Sequence, residues 1–600
     1  MKKIFRSLLV IIGILAALLI SFQSLEANLE EPEVEIDIQD ELNIDREQIV
    51  IEQPTEINDL PLKDNPDIYL NDDPDSIVYM YVTVRRGNSG DDTDHTWQEV
   101  NDSSKFFVEG TINTSVNKAE AILQIGDENG PLPGQFGYGE IVPNAIIQVR
   151  GNTSSLEAQK SYKIELFDSA GEWRGQSTIA LNKHQSDLTR MRNKLGFELM
   201  ENLDGLISLR TQYVNLFIKD ETTSPPSDTF MDYGLFTQVE LPNRKFLRNH
   251  LLDQDGQLYK ANMFEFFRYP DTLRLPDDPL YNRDLFETVL EIKGNQDHSK
   301  LIQMLDDVNN LSIPIEQIFE TYFDAENYFI WMAFNILIGN LDTNSQNFYL
   351  YSPQNSQKWY FIAWDYDGIL ARQERQLLGR SNPLYFEKGI SNYWGCVLHK
   401  RILSKAEYRE QLDKKINELM AYFAPERIAE AIATYRIVTD QYIAKMPDIL
   451  YLPGTIDEYN TVLDILPDEI QINYQLYLDS LESPMPFFLG DPQIINNMII
   501  FSWDEAYDFD AQNITYQLSI SKNWNFREIV FQTEVVNFLS VELNLLPPGE
   551  YFWRIIAVNE DGKMQYPFDY YTDLNGVEHP GIRNFYINQE NQNITITSGR

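Results

Sequence analysis

Two short polar segments hold carboxylates and an amide at spacings that suit metal-assisted phosphoryl transfer. Asp342 and Asn347 are five positions apart in segment 338–351 (IGNLDTNSQNFYLY), between an apolar helical stretch and a strand-like one. A kinase catalytic loop uses this spacing to hold a substrate hydroxyl and a Mg²⁺ ion from one turn. Mg²⁺ takes few protein oxygens beside phosphate and water, and an Asp and an Asn supply such oxygens.

A second pair of acids follows the predicted strand 359–363. Asp365 and Asp367 occupy alternate positions, so at the end of an extended strand they should point the same way. Their like charges repel unless a cation lies between them. We predict that Asp365 is a metal ligand, like the Asp of a kinase D-F-G segment, and that Asp367 is a second ligand or a support. The alternative is that Asp342 caps a helix and that Asp367 merely begins a turn.

A polar turn and a strand with two lysines lie upstream of the acids. The turn 149–155 (VRGNTSS) contains Gly151, and the strand 160–166 carries Lys160 and Lys163. Backbone donors of a turn beside a strand lysine commonly cover and neutralise nucleotide phosphates. Strand alternation puts the two lysines on opposite faces, so only one should reach phosphate, and the sequence leaves the choice open. A surface lysine on a hairpin is the ordinary alternative for either.

The sequence patterns predict an α+β body, whose strands and helices must position these residues. β-branched and aromatic residues indicate strands, and apolar residues at helical spacing indicate helices. The predicted strands are 77–84, 106–108, 122–125, 146–149, 213–218 and 234–240, and the predicted helical stretches are 191–200, 285–332, 406–446 and 457–481.

Past Pro484 and Pro486 the pattern changes to short strands separated by Asn, Asp, Gly and Pro turns. This pattern predicts an antiparallel β-sandwich with Trp503 in its core. The stretch 547–555 (PPGEYFWRI) resembles the Pro-Gly turn and aromatic strand of a fibronectin type III domain. The predicted strands are 494–503, 515–521, 528–532, 541–545 and 551–558.

Composition excludes several classes of protein. The 600 residues include 92 acidic and 48 basic ones, a formal charge of -44 that would repel nucleic acid. The single cysteine, Cys396, cannot form an intramolecular disulfide, and six scattered histidines do not suit a Cys/His zinc cluster.

The N-terminal sequence predicts export. Lys2, Lys3 and Arg6 precede a short apolar run over 8–20, as in a bacterial signal peptide, which is either cleaved or retained as an anchor. Residues 28–75 are acidic and contain several prolines, which predicts an extended, self-repelling linker. We therefore expect an extracellular or cell-surface protein that meets a membrane only through its N-terminal segment.

These segments together resemble the spore coat protein H (CotH) kinase family, in order and over about residues 77–403. The resemblance implies an atypical protein-kinase-like, two-lobed body followed by the small all-β sandwich domain. The segments that carry it are Arg150-Gly151-Asn152, the strand from Lys160, Asp187 with Arg192-Asn193, the stretch from Gly234 to Glu240, Leu258-Tyr259-Lys260, and the two acidic segments.

The resemblance also implies roles for single residues. Asp342 would be the catalytic acid/base, and Asn347 and Asp365, with Asp367 beside them, would bind Mg²⁺ or Mn²⁺. The ATP side would comprise Arg150, Asn152, Lys160 or Lys163, and Glu240, which would pair with that lysine or touch the metal. Two features depart from the family: segment 219–228 is a longer polar loop, and the glycine turn has Gly151 alone.

The first functional hypothesis is an exported, metal-dependent kinase that phosphorylates Ser or Thr of a protein, either a basic or a Ser-rich coat or surface protein. The alternative is a non-catalytic surface or spore-coat protein that keeps the fold as a scaffold. A third idea is a hydrolase or glycosidase that acts through a carboxylate pair, but nothing in the sequence supplies a carbohydrate-binding context for it. The predicted domains are 1–27 (signal or anchor), 28–75 (linker), 76–482 (kinase-like, with a helical extension from 404), 487–590 (sandwich) and 591–600 (tail).

Overall fold

The computed structural model describes residues 61–70, 72–104, 106–108, 111–113, 116–380, 383–588 and 594–596. The chain divides into two compact units. The larger comprises residues 61–105 and 114–482, and the smaller includes 106–113 and the residues from 483 onwards. The predicted signal segment, most of the predicted linker and nearly all of the predicted tail lie outside the described residues. Among those described, no helix is both long and apolar enough to span a membrane.

The predicted α+β class is confirmed. The strands between residues 61 and 482 are β1 (Ile77–Arg85), β2 (Phe106–Val108), β3 (Thr111–Asn113), β4 (Lys118–Asp127), β5 (Gly130–Pro131), β6 (Ala145–Arg150), β7 (Ser161–Leu166), β8 (Thr178–Asn182), β9 (Thr211–Asp220), β10 (Met231–Val239), β11 (Gln257–Ala261), β12 (Leu290–Ile292), β13 (Phe348–Ser352) and β14 (Tyr360–Ala363).

The helices of the larger unit surround and follow these strands. They are α1 (Trp97–Asp102), α2 (Arg192–Met200), α3 (Arg244–Asn249), α4 (Arg283–Val289), α5 (Ser299–Asn309), α6 (Ile315–Tyr322), α7 (Ala325–Ile338), α8 (Arg372–Leu377), α9 (Val397–Leu403), α10 (Ala406–Tyr422), α11 (Pro425–Ile443), α12 (Ile456–Ile465) and α13 (Glu469–Glu482).

The larger sheet closes on itself. Its order is β1-β9-β10-β8-β7-β6-β4-β5, and β1 also pairs with β4, so the pairings return to the first strand. The β1–β9 pair is parallel and the other pairs are antiparallel. Alternate residues of these strands, such as Met80, Leu123, Ile147 and Ile164, fill one buried cluster. This ring of strands carries the turn at Arg150 and the lysines of β7.

The second sheet, β12-β11-β13-β14, packs against α7. Twelve consecutive residues of α7, Asn327 to Ile338, are buried, as expected for a helix that is apolar on all sides. Asn327 binds this helix to the sheet because its amide receives the Phe361 N–H at 2.7 Å and donates to the Phe361 carbonyl at 3.0 Å. The helix therefore fixes the position of the loop that follows it.

The prediction of continuous helical structure over 285–332 is wrong in detail. The stretch contains three separate helices and the first turns of a fourth, with the strand β12 between α4 and α5. Leu290 and Ile292 are buried on β12, which pairs with β11. The spacing of apolar residues fits a helix and a strand equally well. Pairing with the neighbouring strand β11 favours the strand at Leu290–Ile292.

Residues 61–75, which fall within the predicted linker, contact the larger unit. Leu62 is buried, Asp64 bonds His250, and Asp72 forms an ion pair with Arg210. Acidic side chains that would repel one another in an isolated segment are here compensated by basic groups of the body. The larger unit therefore begins by residue 61 rather than at residue 76.

The smaller unit is an all-β region. Residues 483–588 and 594–596 form a three-stranded sheet, β15-β16-β19, and a longer one, β18-β17-β20-β24-β25. Phe501, Trp503, Trp553 and Phe585 lie in one buried cluster. The strands are β15 (Gln493–Ile495), β16 (Met498–Ser502), β17 (Thr515–Ser521), β18 (Ile529–Val536), β19 (Ser540–Asn544), β20 (Gly549–Val558), β21 (Met564–Gln565), β22 (Tyr570–Thr572), β23 (Glu578–Pro580), β24 (Arg583–Ile587) and β25 (Ile594–Ile596).

Candidate active site

The loop with Asp342 is anchored at both ends. Helix α7 ends at Gly339, whose φ of 68° suits glycine, and the Asn340 N–H returns to the Asn335 carbonyl at 3.0 Å. A 3₁₀ turn, Leu341–Asn344, then carries Asp342. The Asn392 amide donates to the Leu341 carbonyl at 2.9 Å and holds the turn from outside. The position of Asp342 is thus set by buried neighbours although its own side chain is exposed.

Asn347 turns back toward Asp342. Its φ is 58°, in the left-handed region, and its Nδ2 donates to Oδ2 of Asp342 at 3.3 Å. Its amide oxygen is therefore the atom that Asn347 can offer to a cation. The hydrogen bond shows that these two side chains, five positions apart in the sequence, are neighbours in the structure.

The second acidic segment is a turn rather than a strand end. Strand β14 ends at Ala363, and Asp365 has a left-handed φ of 59°. The expectation that strand alternation aligns Asp365 and Asp367 is therefore wrong about the backbone. The two carboxylates nevertheless interact electrostatically.

Asp365 lies among both acidic and basic groups. Burial raises its pKa, and the charge of Asp367 raises it further. His184, Lys260 and Arg150 oppose this rise. A desolvated carboxylate next to a like charge favours protonation or the approach of a cation.

Asp342 belongs to the same electrostatic cluster. Desolvation by the surrounding protein raises its pKa, the charge of Asp367 adds to this effect, and Arg375 counters it. Asp367 thus interacts with both Asp342 and Asp365. The structure brings the two acidic segments together at one place, which the sequence could only suggest.

The structure separates the two lysines of the predicted phosphate side. Lys160 lies just before β7, and its Nζ donates to the Ser155 carbonyl in the glycine turn at 2.6 Å. It interacts with Glu157, which in turn interacts with Asp367. Lys163 lies on the outer face of β7 and pairs with Glu165 at 3.0 Å. Lys160 is therefore the lysine on the side of the acids.

Arg150 and Asn152 also lie in different surroundings, since Arg150 interacts with the acids and Asn152 is exposed. The guanidinium of Arg150 lies 5.8 Å from the centre of the Trp364 ring, and burial lowers its pKa while Asp365 raises it. Arg150 thus belongs to the acidic cluster. Asn152 is exposed on the turn, where its carbonyl accepts from Ser155.

The expected pairing of Glu240 with a lysine of β7 is wrong. Its carboxylate lies 3.1 Å from Nε2 of His250 and also accepts the Arg210 N–H at 3.3 Å. Glu240 follows β10 directly and is 1% exposed. A carboxylate this deeply buried requires a charged or hydrogen-bonding partner, and His250 supplies it.

Sequence reasoning missed several neighbours of the acids. Lys260 and Arg375 interact with Asp365 and Asp342, and Nδ1 of His184 lies 3.3 Å from Oδ2 of Asp367. These residues come from β11, α8 and the segment after β8, so no local spacing connects them with the acids. Lys260 lies in a segment that carries the family resemblance, but the resemblance implies no role for it.

The segment after the acids is fixed to α2 by buried charges. Arg192 forms ion pairs with Asp187 and with Glu374 of α8, and all three side chains are at most 3% exposed. The pairing of Asp187 with Arg192, which the sequence marked without a role, thus holds the residues that follow Asp367. A buried cation between two acids has its charge compensated locally.

The donor set at the acids fits a hard cation. Among the described residues, no three His, Cys, Asp or Glu side chains form a group that could bind a metal ion by themselves. Asp365, Asp367 and the amide oxygen of Asn347 supply oxygen donors of the kind that Mg²⁺ and Mn²⁺ prefer alongside phosphate and water. Asp365 is buried beside the like charge of Asp367, an arrangement that a bound cation would compensate.

Comparison with known proteins identifies the class. The model of the family described as CotH kinase protein matches residues 147–477, more than half of the chain. This chain belongs to the CotH family, and the resemblance noted in the sequence is confirmed. The chain is also similar to inner spore coat protein H of Bacillus subtilis (strain 168), with 22% identity over 364 residues, which cover 59% of this chain and 92% of that protein.

Proposed function

We propose that this chain is a protein kinase that transfers the γ-phosphoryl group of ATP to Ser or Thr of a coat or surface protein. The observation that carries the proposal is the convergence of Asp342, Asn347, Asp365 and Asp367 from two chain segments. Membership of a family described as CotH kinase protein supports it.

Asp342 acts on the acceptor. Its carboxylate is exposed beside a desolvated cluster, where it would hold the substrate hydroxyl and accept its proton during transfer. The hydrogen bond from Asn347 fixes the direction of one carboxylate oxygen. Orientation of the hydroxyl supplies much of the rate enhancement in such a reaction.

Asn347, Asp365 and Asp367 would hold Mg²⁺ or Mn²⁺. When bound, such an ion offsets the negative charge of the transferring phosphoryl group. Lys160 and Arg150 provide the positive charge of the protein itself on the ATP side.

The substrate class and location follow from charge and from the curated relative. A formal charge of -44 favours a basic acceptor, so we infer a Ser- and Lys/Arg-rich protein. The similar protein is named an inner spore coat protein, which supports a spore coat or cell-surface location. The predicted export signal agrees with a position outside the cytoplasm.

The test uses the full chain with γ-labelled ATP, Mn²⁺ or Mg²⁺, and a Ser- and Arg-rich peptide. Asp342→Asn should reduce phosphate incorporation roughly 100-fold or more, the usual effect of losing a general base. Asp277→Asn, at an exposed carboxylate, is the matched control and should retain wild-type activity. Equal incorporation by wild type and Asp342→Asn would overturn the assignment.

A further inference from the structure

His184 joins the acidic cluster to a buried amide. Its Nδ1 lies 3.3 Å from Oδ2 of Asp367, and its Nε2 lies 3.1 Å from Nδ2 of Asn193. The imidazole is buried, whereas the Asp367 side chain is 39% exposed. Both ring nitrogens of His184 therefore have partners, one of which reaches the candidate site.

The network assigns the tautomer of His184. Oδ1 of Asn193 accepts the Tyr366 N–H at 3.2 Å, which directs the amide nitrogen of Asn193 toward the imidazole. An amide nitrogen only donates, so Nε2 of His184 must accept. The proton of the neutral ring is then on Nδ1, where it is donated to Asp367.

The backbone around His184 is built to hold this arrangement. His184 has a φ of 48° and Arg190 a φ of 59°, both in the left-handed region. The carbonyl of His184 accepts from the Asp187 N–H at 3.0 Å and from the guanidinium of Arg190. Strained backbone that is held by several contacts is typical of functional positions.

We propose that His184 is a positioning residue for Asp367. Its Nδ1–H binds one carboxylate oxygen, Oδ2, and leaves Oδ1 as the oxygen offered to a divalent cation. This hydrogen bond fixes the orientation of the Asp367 carboxylate. Asn193 keeps the proton on Nδ1 and, through Tyr366, holds the backbone between the two acids. The inference rests on the proposed function.

Loss of a hydrogen-bond partner of a metal ligand typically weakens metal binding by about 10–100-fold. The experiment therefore measures Mn²⁺ binding to the full chain without nucleotide, by the loss of the free-ion EPR signal. His184→Ala removes the donor. His184→Asn places an amide nitrogen near the position of Nδ1, and His184→Gln places one near Nε2.

We expect His184→Ala and His184→Gln to weaken Mn²⁺ binding by roughly 10-fold or more, and His184→Asn to stay within about 3-fold of wild type. His95→Ala is the control, since the His95 imidazole pairs with Asp92. Melting temperatures without metal identify variants that fail to fold. If His184→Ala does not fold, the comparison of His184→Asn with His184→Gln decides, because both retain a side-chain amide that can donate a hydrogen bond.

The outcomes separate this inference from the proposed function. Equal Mn²⁺ affinity of wild type, His184→Gln and His184→Asn overturns the role of His184 and leaves the kinase assignment in place. A folded His184→Asn that binds as weakly as His184→Gln overturns the Nδ1–H assignment. A wild-type chain that binds neither Mn²⁺ nor Mn²⁺–ATP overturns both proposals.

Discussion

Asn347 and Asp365 adopt left-handed backbone conformations, with φ values of 58° and 59°. Such conformations cost about 1–3 kcal/mol when the residue is not glycine, although Asn and Asp tolerate them better than most. The surrounding contacts must compensate this energy, and they include the Asn347 bond to Asp342 and the Asn193 bond to Tyr366 N–H. Both of these strained residues have side chains that would meet the cation.

The two lysines near β7 give a matched test of the phosphate side. Lys160 contacts the glycine turn, whereas Lys163 pairs with Glu165 on the outer face of the strand. We expect Lys160→Met to raise KM for ATP roughly 10-fold or more, the usual effect of losing a charge-assisted hydrogen bond. Lys163→Met should change KM by less than about 2-fold, as for a surface ion pair. Steady-state kinetics with varied ATP measures both, and the reverse ranking would contradict the assignment.

At the residue scale, the sequence predicted what lies within one loop. Five positions link Asp342 to Asn347, and a bond between them needs no other element. Asp365 was identified from its residue type and its position after the Asp342 segment. Nothing in the sequence indicated its left-handed backbone. His184 and Lys260 could not be found in this way, because the fold alone brings residues of β11 and of the segment after β8 to the acids.

At the element scale, the segment 61–75 is bound to the body by buried charges. Asp64 accepts from Nδ1 of His250 and from the Tyr69 hydroxyl, at 2.5 Å and 2.6 Å. His250 caps the end of α3 and also contacts Glu240. The same imidazole thus connects the N-terminal segment, a helix and the end of β10.

This arrangement makes stability depend on pH. Burial lowers the pKa of His250, but hydrogen bonds to Asp64 and Glu240 outweigh burial and raise it to about 9. A raised folded-state pKa gives stability that is fully present below the unfolded value of about 6.5 and is lost as the pH rises through about 9. At roughly 1.4 kcal/mol per pKa unit, the loss is about 3 kcal/mol.

Urea denaturation of the full chain between these two pH values measures the effect. The transition of the larger unit should move to lower urea as the pH rises in wild type, and this movement should be much smaller in His250→Phe. His579→Phe, in the smaller unit, is the control and should keep the wild-type dependence. A wild-type transition that does not move would show that His250 is not charged in the folded protein.

The sequence predicted elements well where one pattern dominates. Strand β1 and the helices over 406–443 and 456–482 appear where the residue patterns place them. Segment 285–332 failed because apolar residues at 290–292 suit a helix and a strand equally, and only β11 decides between them. The contacts of residues 61–75 also depend on distant partners, Arg210 and His250, which an acidic sequence alone does not reveal.

At the scale of the whole molecule, the excess of 44 negative charges predicts how a substrate approaches. A basic peptide should be attracted over a Debye length, which shortens as salt is added. We expect KM for a Ser- and Arg-rich peptide to rise steadily with NaCl, while KM for an uncharged Ser peptide changes little. Phosphorylation assays at several salt concentrations measure this difference. Parallel responses of the two peptides would contradict electrostatic attraction.

The ring formed by the larger sheet also constrains how the protein is made. Ile77 pairs with Tyr213, so one edge of β1 stays unpaired until more than a hundred later residues have been synthesised. Both acidic segments are translated after that. A chain interrupted before β9 would expose a long unpaired edge of β1, which favours association with other chains. Synthesis of this protein therefore demands protection of nascent β-structure before any residue of the candidate active site's acidic loops exists.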